Sequence, residues 1–463
     1  MRNLRFLSRF ALPLVAAVVM VCVTACSPDG SALQSTIPAE SSVVASINGE
    51  KLFDALDIKV GADGAVTLPP EIGGDLFADG DMCALLKGAD YRGIYAAVTA
   101  DGNAYMTFSL TDADAFTDAM EKMEGTGKED VSGFDKAYWR KGVTWLVKGS
   151  QGWALSFVPA KAGDIVKAEL KKAADKSVAD LVEVPDLLAT GNMVDVVLNG
   201  SLISKMADVK YNAATSQWAY VWAEPNGANL VIHGYSVDDE GNRVKTRGLQ
   251  TLNLDFLRYM PGSFDLVAAV GLTSSFDWAP FYQGIAATGN FQTIGMMETM
   301  RPFLESIDGT AAFGMELPKG AGVFALPKML LMIHMDQTKV NESVAQLNTL
   351  MASNGVAPSS CGNRLYTLSM GGERLVYGSL DGNLVVSTVD LNPNAANSLT
   401  ETFEGQKAAM SLRIPDLGVY VNGAKGGLDV VLKCDADSYS MVLKPVGSDR
   451  PALLTVASLF RML

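Results

Sequence analysis

Residues 37–54 and 260–277 are two versions of one segment, and this repetition limits the folds open to the chain more than any other feature. The first reads Ile37-Pro-Ala-Glu-Ser-Ser-Val-Val-Ala-Ser-Ile-Asn-Gly-Glu-Lys-Leu-Phe-Asp54 and the second Met260-Pro-Gly-Ser-Phe-Asp-Leu-Val-Ala-Ala-Val-Gly-Leu-Thr-Ser-Ser-Phe-Asp277. Without a gap, at an offset of 223 residues, Pro38 meets Pro261, Val44 meets Val267, Ala45 meets Ala268 and Phe53-Asp54 meets Phe276-Asp277. A proline turn followed by small and β-branched apolar residues reads as the entry to a buried strand. The spacing, close to half of the 463 residues, predicts a duplicated domain whose copies each open in this way.

Other matches keep the same order. Leu331–Met335 and the helical spacing of Val340–Met351 answer Met106–Leu110 and Ala115–Met123. Leu375-Val-Tyr-Gly-Ser379 answers Leu146-Val-Lys-Gly-Ser150, Asp381-Gly382 answers Gln151-Gly152, and Val419-Tyr-Val-Asn-Gly423 answers Val196-Val-Leu-Asn-Gly200. The last five residues, Leu459–Leu463, answer Phe256–Met260 at an offset of 203, so the second copy is shorter by 20 residues, a surplus the first copy carries within 201–248. In copy one, Tyr91–Thr99 and Ala104–Leu110 form β-rich runs around Ala100-Asp-Gly-Asn103, a hairpin signal. Thr111-Asp-Ala-Asp114 resembles a capping box, and Asp164–Asp175 alternates Ile165, Val166 and Leu170 with Lys167, Lys171 and Lys172 as an amphipathic helix does. Strands that come in hairpins predict antiparallel sheets. The expected fold is therefore α+β: two tandem similar domains, 37–258 and 259–463, each an antiparallel sheet with helices packed on one face.

The N-terminus carries a second signal. Arg2, Arg5 and Arg9 precede a short apolar run, Ala11–Val21, which falls below the roughly 18 residues of a membrane span. Val23-Thr24-Ala25-Cys26 follows and resembles the lipobox of bacterial lipoproteins, in which a small residue precedes a cysteine that is lipidated and becomes the mature N-terminus. An ordinary secretory signal is the alternative. On the lipoprotein reading, 1–25 is a signal peptide, Cys26 holds the protein to a membrane at ~0.8 kcal/mol per buried methylene, and the polar, turn-rich stretch up to Thr36 makes 26–36 a tether. Loss of the three arginines takes the formal charge from −14 to −17, which excludes a generic electrostatic fit to nucleic acid. Cys22 leaves with the signal. Cys83, Cys361 and Cys434 match no zinc or redox spacing, leaving one disulfide or buried free thiols.

The lipobox, the ten-residue tether, the opening Ile-Pro-x-x-Ser-x-Val-Val-Ala-Ser-Ile and the two-copy layout together resemble a family of duplicated lipoproteins from Gram-negative anaerobes, a domain of unknown function. The resemblance implies an envelope protein and brings no catalytic residues, because the family has none assigned. Ser27 after the cysteine, where Asp would signal retention, resembles lipoproteins passed to the outer membrane. With no acid-rich tag in 27–36, the periplasmic face is expected.

Chemistry-bearing motifs are sparse. The sequence holds no Gly-x-Ser-x-Gly elbow, no His-Glu-x-x-His, no Walker loop and no calcium loop. Gly320-Ala-Gly-Val-Phe-Ala325 has dinucleotide-loop spacing, but Pro327 breaks the helix that should follow. His233 and His334 both sit in strand patterns. Met332 and Met335 flank His334, and Met296, Met297 and Met300 fall at near-helical spacing. Soft copper ligation is one reading and core filling the other. The pairs Asp112/Asp114 and Asp238/Asp239 sit at a helix start and in a turn, without the apolar setting that raises a glycosidase carboxylate. No cofactor or metal is implied.

The positive feature is aromatic. In Trp218-Ala-Tyr220-Val-Trp222-Ala, alternation puts Trp218, Tyr220 and Trp222 on one strand face and the small residues on the other. If the small residues face the core, the rings are free to stack on sugars or on a protein; if the rings fill the core, as large aromatics usually do, they are structural. The expected function is a non-enzymatic, membrane-anchored binding or scaffolding module with a protein or glycan partner. A carbohydrate-binding lipoprotein using Trp218, Tyr220 and Trp222 is the alternative, and an envelope hydrolase with an unrecognised site is the third class.

Overall fold

A computed structural model describes residues 31–60, 66, 67, 69, 88–200, 218–238, 240–279, 281, 282, 297, 298, 301–317, 327–353, 356–362, 364–370, 373–393, 395, 398–421, 424–447 and 449–462. The chain divides into two compact units. Unit 1 takes residues 1–244, 416–427 and 444–463; unit 2 takes 245–415 and 428–443.

Unit 1 is built on β1 (Val43–Ile47), the strand of the opening repeat, followed by a short hairpin of β2 (Lys59–Val60) and β3 (Val66–Thr67). Then come β4 (Ile94–Val98), β5 (Ala104–Ser109), β6 (Gly127–Lys128), β7 (Lys136–Arg140), β8 (Val143–Lys148), β9 (Gln151–Leu155), β10 (Val194–Asn199), β11 (Trp218–Asn226) and β12 (Asn229–Val237). All pairings are antiparallel, in the order β12–β11–β10–β1–β4–β5–β9–β8–β7–β6. Ala45 sits between Val196 on one side and Ala96 on the other.

Each face of this ladder has its own cover. Phe108 packs with Phe116, from the Ala113–Lys122 helix, and with Trp145, ring centroids 5.9–6.2 Å apart. Gly152 is required beneath Phe108, because a Cβ there would lie 2.4 Å from the ring. On the opposite face Tyr105, Leu146, Trp153 and Leu155 pack against Ala162 and Val166 of the Pro159–Asp175 helix. Asp112 Oδ1 caps the first of these helices by accepting from the Ala115 N–H.

Unit 2 repeats the pattern. Its strands are β13 (Leu266–Leu272), β14 (Ile307–Met315), β15 (Met329–Met335), β16 (Ser359–Gly362), β17 (Leu365–Met370), β18 (Glu373–Leu380) and β19 (Asn383–Ser387). Three long strands follow, β20 (Ala408–Val421), β21 (Ala424–Cys434) and β22 (Ser438–Val446), whose residues are shared between the units. β13 lies between β20 and β14, and the ladder continues β14–β15–β19–β18–β17–β16, the same order as around β1. Leu330, Met332 and Val385 face one core with Phe256 and Phe403, while Ile333, Met335 and Leu384 face another with Val340 and Val344 of the Gln337–Ser353 helix. The strand opposite β13 pairs Met410 with Ala268, so the counterpart of Val196 is Met410, nine residues before the position the Val419–Gly423 match implied. The hairpin turns likewise align Gly149-Ser150 with Asp381-Gly382.

The expectation of two sheets with helices on one face is overturned. Among the described residues, hydrogen bonding links 20 strands into one antiparallel sheet, and helices cover both faces within each unit. The physical reason lies in the strands themselves. β4, Ile-Tyr-Ala-Ala-Val, is buried at every position, and a strand apolar on both faces needs two covers. Hairpins also leave an edge with free backbone donors, which further strand pairing satisfies.

The opening turn is pinned from outside the sheet. Val178 N–H donates to the Ile37 carbonyl at 2.8 Å and Ala39 N–H to that of Lys176 at 3.0 Å. The Ser177–Asp180 turn behind them is held by Asp180 Oδ2, which accepts from both Ser177 N–H and Oγ at 2.8 Å. These bonds hold the Asp180 carboxyl below its usual range. A depressed folded-state pKa gives stability that is present above the ordinary carboxylate value and lost as pH falls through the lowered one. Asp180→Asn should therefore melt lower than wild type at pH 7, with the gap closing on acidification; thermal melts from pH 7 to pH 3 check this.

Candidate functional site

The β10–β11–β12 ladder of unit 1 brings the aromatic row together with groups distant in sequence. Cross-strand register places Asp195, Trp222 and His233 side by side, and Val197, Tyr220 and Tyr235 beside them. Directly opposed residues share a sheet face, so these side chains form one surface.

Asp195 is the buried anchor. Its carboxylate accepts from Thr190 Oγ1 at 2.8 Å, from Asn192 Nδ2 at 2.8 Å and from the Tyr220 hydroxyl at 2.7 Å. Burial first, and the Asp195 charge with it, push the Tyr220 phenol far above its ordinary value, so Tyr220 remains a neutral donor. Tyr220 is 4 % exposed and belongs to the core that includes Val44, Val197 and Val166.

The rings stack on one another. Trp222 lies 4.9 Å from Tyr220 at an interplanar angle of 18°, and 4.9 Å from His233 at 20°. Tyr235 meets Tyr220 and Trp222 edge-on at 5.4 and 6.0 Å. The Arg243 guanidinium returns over the Tyr235 ring, 4.1 Å from its centroid, a cation–π contact. Arg243 is delivered by the Asp238–Asn242 turn, where Asp238 Oδ1 accepts from the N–H groups of Glu240 and Asn242 at 3.0 and 2.9 Å. Glu224 Oε1 lies 3.6 Å from His233 Nε2 at the rim.

Of the predicted row, Trp218, Tyr220 and Trp222 do share a face, and that face packs on the core: Tyr220 is buried, while Trp218 and Trp222 are half-buried against the cluster. Sequence reasoning placed His233 in a strand but missed Tyr235, Asp195 and Arg243 as its companions. The alternation of His233 and Tyr235 was a readable signal; the return of Arg243 was not. Cys26, the signal peptide, Cys83, Met296, Met300 and Gly320–Gly322 lie outside the described residues. Cys361 is exposed and Cys434 half-buried, both free thiols. Met332 and Met335 are core residues while His334 is exposed, so they do not converge, and no group of three His, Cys, Asp or Glu side chains able to hold a metal occurs among the described residues. Asp112 and Asp238 are taken up by the cap and the turn. Among the described residues no helix is long and apolar enough to cross a membrane.

No family model matches the chain, and no curated protein matches it. Among solved structures it is similar to crystal forms of the protein TP0453. Form IV is 10 % identical over 44 % of this chain and 79 % of that one, with a TM-score of 0.29. Form III is 10 % identical over 50 % and 85 %, TM-score 0.31, and form I 8 % identical over 47 % and 81 %, TM-score 0.27.

Tyr220→Phe removes one charge-assisted hydrogen bond from a buried carboxylate. It should cost about 1.5–3 kcal/mol in urea unfolding, with Thr190 and Asn192 retaining the rest of the anchor.

Proposed function

We propose that the chain is a lipid-anchored envelope protein, held by Cys26 at the outer membrane on its periplasmic side, that works as a non-enzymatic binding module built from a duplicated domain. The matching ladder order around β1 and β13 supports the duplication. The binding surface is the rim of Trp222, His233, Tyr235, Arg243 and Glu224 in unit 1. Half-buried aromatics with charged heads at their edges supply rigid, amphipathic contact area at low entropic cost.

The single observation that carries the reading, and favours a protein partner over a glycan, is the state of the ring faces. Trp222 is stacked on Tyr220 and His233, and the Tyr235 ring is covered by Arg243. A sugar ring stacks on an open aromatic face, whereas this rim offers ring edges, a guanidinium and a carboxylate. His233 acts as a packing ring with its Nε2 directed to Glu224.

The test is in-cell cross-linking of the full lipoprotein. A stoichiometric partner should be recovered through the rim, and Trp222→Ala or Arg243→Ala should weaken its capture by roughly 30-fold, the effect of losing one anchor residue. Recovery of the chain alone, with saturable quenching of tryptophan fluorescence by envelope glycans, would replace this reading with carbohydrate binding through Trp218 and Trp222. Turnover abolished by His233→Ala would make it an enzyme. Cys26→Ser should move the chain from the membrane to the soluble fraction; continued sedimentation with membranes would refute the anchor.

A further inference from the structure

Where the Pro159–Asp175 helix meets the sheet, three polar side-chain atoms of unit 1 are buried with no hydrogen-bond partner among the described residues: the Tyr105 hydroxyl, the Trp153 indole N–H and, on the helix itself, Glu169 Oε2. Their residues are 3 %, 2 % and 3 % exposed. Buried polar groups of this kind are nearly always satisfied, and an orphaned donor destabilises a fold.

Tyr105 and Trp153 share the sheet face that the helix carrying Glu169 covers. Trp153 pairs with Thr107 across β5–β9, and Tyr105 stands two residues from Thr107, so both rings lie on one sheet face and join one cluster. Glu169 follows Val166 by three residues on the helix packed against that cluster. Its negative charge reaches the Tyr105 hydroxyl and, after burial, is the second cause raising that phenol. The other Glu169 oxygen accepts from Lys172 Nζ at 3.1 Å, and Lys172 is held in turn by Asp101 at 3.1 Å. The carboxylate thus has one oxygen tied to the rim of the helix, while Oε2 is left unmatched.

We propose that Tyr105, Trp153 and Glu169 form an internal site for one small hydroxylic guest. The stoichiometry of donors sets the chemistry: a hydroxyl oxygen accepts from both Tyr105 O–H and Trp153 N–H through its two lone pairs, and its own proton goes to Glu169 Oε2. Neither a bare cation nor an anion fits that set. Water and the hydroxyl of a small alcohol share the required chemistry.

Two measurements on the full chain decide it. Tyr105→Phe is nearly isosteric. With a guest in place it strands that guest and should lower the folding equilibrium constant roughly tenfold. Combining it with Glu169→Gln should then cost less than the product of the two single effects, because both act through the same guest. Without a guest, Tyr105→Phe removes an unpaired buried donor and should raise stability, which would overturn the site. Oxygen-17 relaxation dispersion names the source. Water gives one fewer long-lived internal molecule in Tyr105→Phe than in wild type. A small alcohol leaves that count unchanged and appears as a stoichiometric extract of the wild-type protein that the variant lacks. If neither difference is seen, Tyr105 has no guest and the proposal fails.

Discussion

A strand that is apolar on both faces has to be covered twice, and in this protein that requirement governs the rest of the architecture. β4 is buried along its whole length, and its neighbours β1 and β5 bury residues on both faces. Each surface excludes water only when something is laid on it, at about 25 cal/mol per Å² of apolar area removed from solvent. Helices meet the need on both sides: Phe116 of one helix closes over Phe108 and Trp145, while Ala162 and Val166 of another close over Leu146 and Trp153. In unit 2 the same requirement is met by Phe256 and Phe403 on one face and by Val340 and Val344 on the other.

Backbone pairing sets the second constraint. β1 and β13 each donate and accept along both edges, so the repeated segment occupies an interior position of its ladder in both units. An interior strand tolerates little variation in residue size, and Val44/Val267 and Ala45/Ala268 fill equivalent places in the two ladders. Met410 stands opposite Ala268 where Val196 stands opposite Ala45, since a partner strand needs only an apolar residue of fitting volume in register.

The aromatic rim depends on the same geometry. Tyr220 reaches into the core far enough to give its hydroxyl to Asp195, and this fixes the orientation of the ring against which Trp222 stacks. The stack continues to His233, while Arg243 closes over Tyr235. A buried charge, three neutral donors and a series of rings therefore hold the outer residues in place, the preorganisation that the proposed binding role calls for.

The repeated opening segment, the hairpin at Ala100–Asn103, the helix following Asp112 and the alternation of Trp218, Tyr220 and Trp222 were all legible in the sequence, because each depends on a local period or turn. Even the double burial of β4 was written there, as the unbroken apolar run Ile94–Val98. The placement of a helix over each face, the linking of 20 strands among the described residues into one sheet and the direction in which the aromatic face points were decided by tertiary structure. Periodicity tells which residues share a face and leaves open which face meets the core. Asp195, Tyr235 and Arg243 joined the rim through cross-strand register and a returning loop, contacts between residues far apart in the chain that no local pattern encodes.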